Sequence, residues 1–128
     1  MQVTEYLRDK YSTPFTAYAA PGTPASNLNF SSVTQNSMNL NLTKGGGTHR
    51  LILARKGSAV NAAPVSGVSY TGNLAFGLGN QIGSGNYVMY AGTAGTTNPM
   101  TNMEFDETYH FAVYEYYLIN GVPQYSAA

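Results

Sequence analysis

The chain contains no cysteine and no tryptophan, and only 9% of its 128 residues are charged, where about a quarter is usual for a soluble domain. Without cysteine there is no disulfide, zinc-thiolate site or thiol nucleophile, and the redox compartment cannot be read from composition. Six basic residues balance six acidic ones. No positive field is therefore available to hold a phosphate backbone or an anionic membrane, which argues against nucleic acid as a partner. The apolar runs are only a few residues long, Leu51 to Ala54 among them, too short for a bilayer-spanning helix, so no membrane insertion is expected. The opening stretch MQVTEYLRDKYSTPF carries Glu5, Arg8, Asp9 and Lys10 where a secretion signal needs an apolar segment. Export by another route and a chain given in its mature form are the two readings of that.

What fills the sequence instead is Gly, Ser, Thr, Asn and 11 Tyr, the composition of strands and turns. A neutral surface rich in tyrosine also repels its own copies weakly, so self-association is expected. From Ser37 to Thr43 the residues Met38, Leu40 and Leu42 alternate with Asn39 and Asn41, a period of two with one face buried. His49 to Lys56 reads as the next strand, between the Gly45-Gly46-Gly47 turn and Gly57-Ser58. Asn86 to Tyr90 and Thr108 to Tyr117 follow, the second being the most regular alternation in the chain. Asn27 to Val33 fits a first strand, and Gln124 to Ala127, after the Asn120-Gly121 turn, a last one. Between Ala59 and Gly85 the glycines and Pro64 suggest short strands within a large loop. No ten-residue segment supports a helix. These strands predict an all-β antiparallel sandwich of one domain.

Residues 1–24 read as an extended arm and linker ahead of a sandwich spanning 25–128. Pro21 and Pro24 remove backbone donors and favour extended geometry. A short, imperfect echo joins the two ends: Val3-Thr4-Glu5-Tyr6-Leu7 resembles Val113-Tyr114-Glu115-Tyr116, followed in each case by a later Tyr-Ser pair. If the echo is an internal repeat, the arm can pair where an edge strand of the sandwich belongs.

The blocks SNLNFSSVTQNSMNLNLTKGGGTHRLILARKGSAVNAAPVSGVSYTGN, FGLGNQIGSGNYVMYAGT and TYHFAVYEY, in that order, resemble the fibronectin type III-like modules of large surface and secreted proteins of Bacteroidota. The resemblance covers about Ala25 to Ala128. It implies an Ig-like sandwich of about seven strands that acts as a spacer, adhesive unit or scaffold without catalysis, outside the cell or on its surface. It also makes Tyr109 the tyrosine-corner residue, with Met103 and Phe105 ahead of it; Phe105 stands where the family pattern has Pro. The place where the second strand often carries a core Trp is taken by Leu42, so the core has to be filled by others, with Tyr87, Met89 and Phe111 as candidates.

Candidate chemistry is sparse. His49 and His110 lack the neighbouring ligand spacings of a metal site. Glu104, Asp106 and Glu107 lack the alternating Asp/Asn ladder and Gly of a calcium loop and read as a turn. Neither Gly77-Leu78-Gly79 nor Gly83-Ser84-Gly85 has nucleotide-binding order, and no GxSxG elbow occurs. No catalytic, cofactor-binding or metal residues are expected, and no enzyme. Tyr114, Tyr116 and Tyr117 form the candidate face for a ligand or partner, set against a reading in which they are partly core. The expected function is a non-catalytic extracellular structural module, a subunit or repeat of a surface filament or adhesin. Its arm, through Val3, Tyr6, Leu7, Tyr11, Phe15 and Tyr18, adds a strand to a neighbouring copy. The alternatives are a module binding glycans or a host surface, and a phage virion decoration or fibre protein.

Overall fold

A computed structural model of the chain describes residues 2–5 and 22–126. These form eight strands: β1 (Gln2–Glu5), β2 (Ser26–Ser31), β3 (Met38–Thr43), β4 (His49–Lys56), β5 (Tyr87–Gly92), β6 (Thr96–Met100), β7 (Thr108–Ile119) and β8 (Val122–Tyr125). Among the described residues there is no helix. The larger sheet has the order β1-β7-β4-β5, with β8 also on β7, and the smaller has the order β2-β3-β6. All pairings are antiparallel except that of β1 with β7. The chain crosses between sheets at 44–48, 93–95 and 101–107.

The two sheets pack face to face as a sandwich. Met38 and Leu40 of β3 and Met100 of β6 meet Ile52 and Ala54 of β4, Met89 of β5, and Tyr109, Phe111 and Val113 of β7. Of the candidate core fillers, Met89 and Phe111 are buried, whereas Tyr87 is half-buried at the margin, its ring edge-on to Phe76. Asn120 and Gly121 have φ of 52° and 79°. Those two left-handed residues are what a tight hairpin between twisted strands requires, and Ile119 pairs with Val122 across it.

The segment 57–86 is not the set of short strands that its glycines suggest. Between β4 and β5 it makes only isolated bridges, Ala75 with Thr101 and Gln81 with Tyr87. It lies over the second face of the larger sheet, where Val60, Tyr70 and Ile82 cover Leu51, Leu53, Val88, Ala112, Tyr114 and Tyr116. Its backbone bonds to the sheet margin, with Val88 N–H donating to Asn80 O at 2.8 Å and Asn73 N–H to Val88 O at 3.1 Å. The fully buried Asn86 clips it, donating from Nδ2 to Asn61 Oδ1 (2.8 Å) and Ile82 O (2.9 Å) and accepting from Asn61 N–H (3.2 Å). Gly79 is required here, because a Cβ would collide with Val88 O.

The larger sheet is therefore buried on both faces, which explains the uninterrupted Leu51 to Ala54 run. Leu53→Ala should accordingly cost about 2–5 kcal/mol, the range of a core truncation. A loss under about 0.5 kcal/mol would mark a solvated face. Urea unfolding midpoints at constant m-value measure the difference.

Candidate functional site

Two arrangements stand out. The first is a buried ion pair. Arg50 and Glu115 are register partners on β4 and β7, pointing into the sandwich, with 1% and 0% side-chain exposure. The guanidinium meets the carboxylate with two bonds, Nε to Oε2 at 2.9 Å and Nη2 to Oε1 at 3.0 Å. Its remaining donors reach Thr93 O, Ala94 O (3.3 Å) and Gly47 O (3.4 Å). Oε1 also accepts Gly47 N–H at 3.1 Å. All five guanidinium donors are thus used. The pair ties the crossing at 44–48 and the one at 93–95 to the centre of the larger sheet. Gly45 fits because a Cβ would strike Thr23 O, Pro24 and Glu115 Cγ. With every donor spent on its own chain, this Arg holds structure and has nothing left for a ligand.

The second arrangement is the edge of β7. One side of β7 is taken by β4 from Tyr109 to Tyr116. The other is shared by two strands running in opposite directions: β1, parallel, opposite Thr108 to Phe111, and β8, antiparallel, opposite Tyr116 to Ile119. Ser126 N–H extends the β8 ladder to Glu115 O at 2.9 Å. Val3, from the proposed arm, sits opposite Tyr109, so residues 2–5 belong to the larger sheet and do not stand apart from it. The other arm positions, Tyr6, Leu7, Tyr11, Phe15 and Tyr18, lie outside the described residues.

Tyr109 is fully buried beside Phe76, and its hydroxyl accepts Glu104 N–H at 2.7 Å. Met103 is buried and Phe105 is exposed. Tyr114 and Tyr116 do not form an open face: they are 5% and 7% exposed, beneath the 57–86 layer and Tyr125. The cause is simple: β7 is covered on both faces from Phe111 to Tyr116, so every position there is buried. Tyr117 is half-buried and donates to Gly46 O at 3.0 Å. His49 stacks on Tyr116 with centroids 5.2 Å apart, its Nδ1 within 2.8 Å of Thr48 Oγ1, and His110 is half-buried opposite Thr4. Glu104 pairs with Lys56 at 2.8 Å in the exposed turn before β7. Among the described residues no three His, Cys, Asp or Glu come together as metal ligands.

Tyr116 also packs its ring at a tilt against Tyr125, which contacts Tyr70, at centroid separations of 4.9 and 6.1 Å. Tyr125 donates its hydroxyl to Val68 O at 2.8 Å and its N–H to Ser66 Oγ at 3.0 Å, locking the 65–70 turn to β8. Burial, and then the neighbouring Tyr116 and Tyr70 hydroxyls, raise the Tyr125 pKa above its ordinary 10.0; burial first, then Tyr90, raises that of Tyr116, with Arg50 opposing.

No family model, curated protein or solved structure matches the chain.

Two outcomes follow. Glu115→Ala or Arg50→Ala, leaving its partner buried and unpaired, should each lose about 3–5 kcal/mol, while Arg50→Ala with Glu115→Ala should lose far less than the two combined; denaturant unfolding of the parent, the two single variants and the double variant forms the cycle. Both raised tyrosine pKa values favour the neutral hydroxyl in the folded state. Their contribution is therefore complete below pH 10 and declines as pH rises through that value. Stability measured between pH 8 and 11.5 should fall less steeply in Tyr125→Phe than in the parent.

Proposed function

We propose that this chain is a non-catalytic structural module, of the fibronectin type III-like, Ig-like kind, that joins to a neighbouring copy by strand addition at the edge of β7. The observation that carries the reading is β1 itself. An extended segment of this sequence lies on the β7 edge opposite Thr108 to Phe111, where β8 does not reach. Backbone bonds supply the grip in such a pairing, and they do not depend on which copy provides the strand. The Ig-like assignment is supported by the division of the other seven strands into β2-β3-β6 and β8-β7-β4-β5, by the crossings from β3 to β4 and β5 to β6, and by the Tyr109 hydroxyl on Glu104 N–H. The non-catalytic reading draws on the full internal use of Arg50 and Glu115. We place the module outside the cell or on its surface because the proteins it resembles act there.

A glycan-binding role through the tyrosine face loses its surface with the burial of Tyr114 and Tyr116. Removal of residues 1–21, which retains the Thr23 O bond to Gly46 N–H, should abolish assembly in sedimentation velocity while the remaining domain unfolds cooperatively. Equal assembly by the full and shortened chains would overturn the proposal.

A further inference from the structure

The direction of β1 says which side of a neighbour the arm reaches. Because β1 is parallel to β7, the chain leaves it at Glu5, opposite Phe111, heading toward the pole that carries the β7–β8 hairpin. The sandwich begins at that same pole, where Thr23 O accepts Gly46 N–H and Gly46 O accepts the Tyr117 hydroxyl. From Phe111 to Tyr117 β7 advances about 20 Å. The connecting residues 6–21, sixteen in all, can reach about 50 Å, more than twice what their own copy requires. A second copy whose hairpin pole abuts this one offers its β7 edge to β1 in the same direction and register. A copy at the opposite pole would force the connection to double back.

The hairpin pole has the surface of an interface. Leu118, Ile119 and Val122 are 46%, 38% and 41% exposed. Val65 and Val68, also exposed, are held beside them by Gly67 N–H on Pro123 O (2.9 Å) and by the Tyr125 hydroxyl on Val68 O. These are five of the eight large hydrophobic residues exposed among the described residues. The charges of Arg55, Lys56, Glu104, Asp106 and Glu107 lie instead at the other end, where Lys56 pairs with Tyr109 in register and with Glu104 by charge. Among the described residues this pole carries one exposed charge, Lys44 in the 44–48 crossing; a gathered apolar patch with so little charge is an association surface, and a twofold axis would place the same patch on both sides of the contact.

We propose that two copies pair hairpin pole to hairpin pole about a twofold axis and exchange β1, each strand completing the β7 edge of the other. The inference rests on the strand-addition reading and adds its geometry. Thr4 and His110 are register partners, and the absence of native cysteine makes engineered thiols unambiguous. Under oxidation, a mixture of Thr4→Cys and His110→Cys chains should give a two-chain disulfide, and the double variant should give a covalent dimer with no larger species. A ladder of trimers and tetramers from the double variant would overturn the twofold pairing while leaving strand addition intact. Closure within single chains, or free thiols throughout, would overturn both. In an otherwise unchanged chain, Ile119→Glu should raise the concentration at which half the protein is dimeric at least about tenfold, the effect of a charge placed in a desolvated contact, with cooperative unfolding retained. An unchanged midpoint would overturn the pole contact.

Discussion

A guanidinium and a carboxylate, both closed off from solvent at the heart of the larger sheet, fix the position of β4 against β7. Strand β4 carries apolar side chains on both faces, Ile52 and Ala54 inward and Leu51 and Leu53 outward. Hydrophobic patterning alone cannot distinguish its register from one shifted by a residue, because either way every position stays apolar. The Arg50–Glu115 pair removes the ambiguity. A slip of one residue would turn Arg50 to the opposite face and leave Glu115 buried against Leu51, an uncompensated charge. The polar exception inside an apolar strand thus specifies the pairing that the apolar residues merely stabilise.

The same pair organises what surrounds it. Both crossings it touches, 44–48 and 93–95, carry chain from one sheet to the other, and their carbonyls complete the guanidinium's partners. The Gly45-Gly46-Gly47 turn can approach because it lacks side chains, and through Gly46 it fixes Thr23, where the sandwich starts. One interaction therefore sets the strand register, the spacing of the sheets at this end, and the point from which the leading residues depart. The β7 edge owes its alignment to the same source, since β7 is held along its other side by β4.

Much of the architecture was legible in the residues. Alternation located β3 and β7, flanking glycines bounded β4, and Asn120-Gly121 marked the last hairpin with the backbone geometry those residues favour. Strand β6 was not legible: Thr96 to Met100 contains Asn98 and Pro99 and shows no apolar alternation, and its place comes from pairing with Leu40 and Met38 of β3. The covering layer at 57–86 has no such signature, because proline and glycine signal turns equally well in a solvated loop and in one packed on a sheet. A partner face on the β7 tyrosines, the candidate weighed against a partly core reading, needs one side of the strand open to water, and Tyr114 and Tyr116 lie instead beneath the 57–86 layer. The buried pair did leave a signal, opposite charges embedded in two otherwise largely apolar strands, and only the register reveals that they meet.

The 57–86 segment has a consequence for how this sequence can vary. Irregular connections ordinarily tolerate insertion and drift. This one has the duties of a third layer, with Val60, Tyr70 and Ile82 as its inward side chains and Asn86 as its anchor. Its length is matched to the face it roofs, so lengthening or trimming it would uncover Leu51, Leu53 and Ala112 as surely as cutting away a strand. Related chains should be free to change at the β2–β3 turn while keeping the span of this one, the reverse of what loop length alone would suggest.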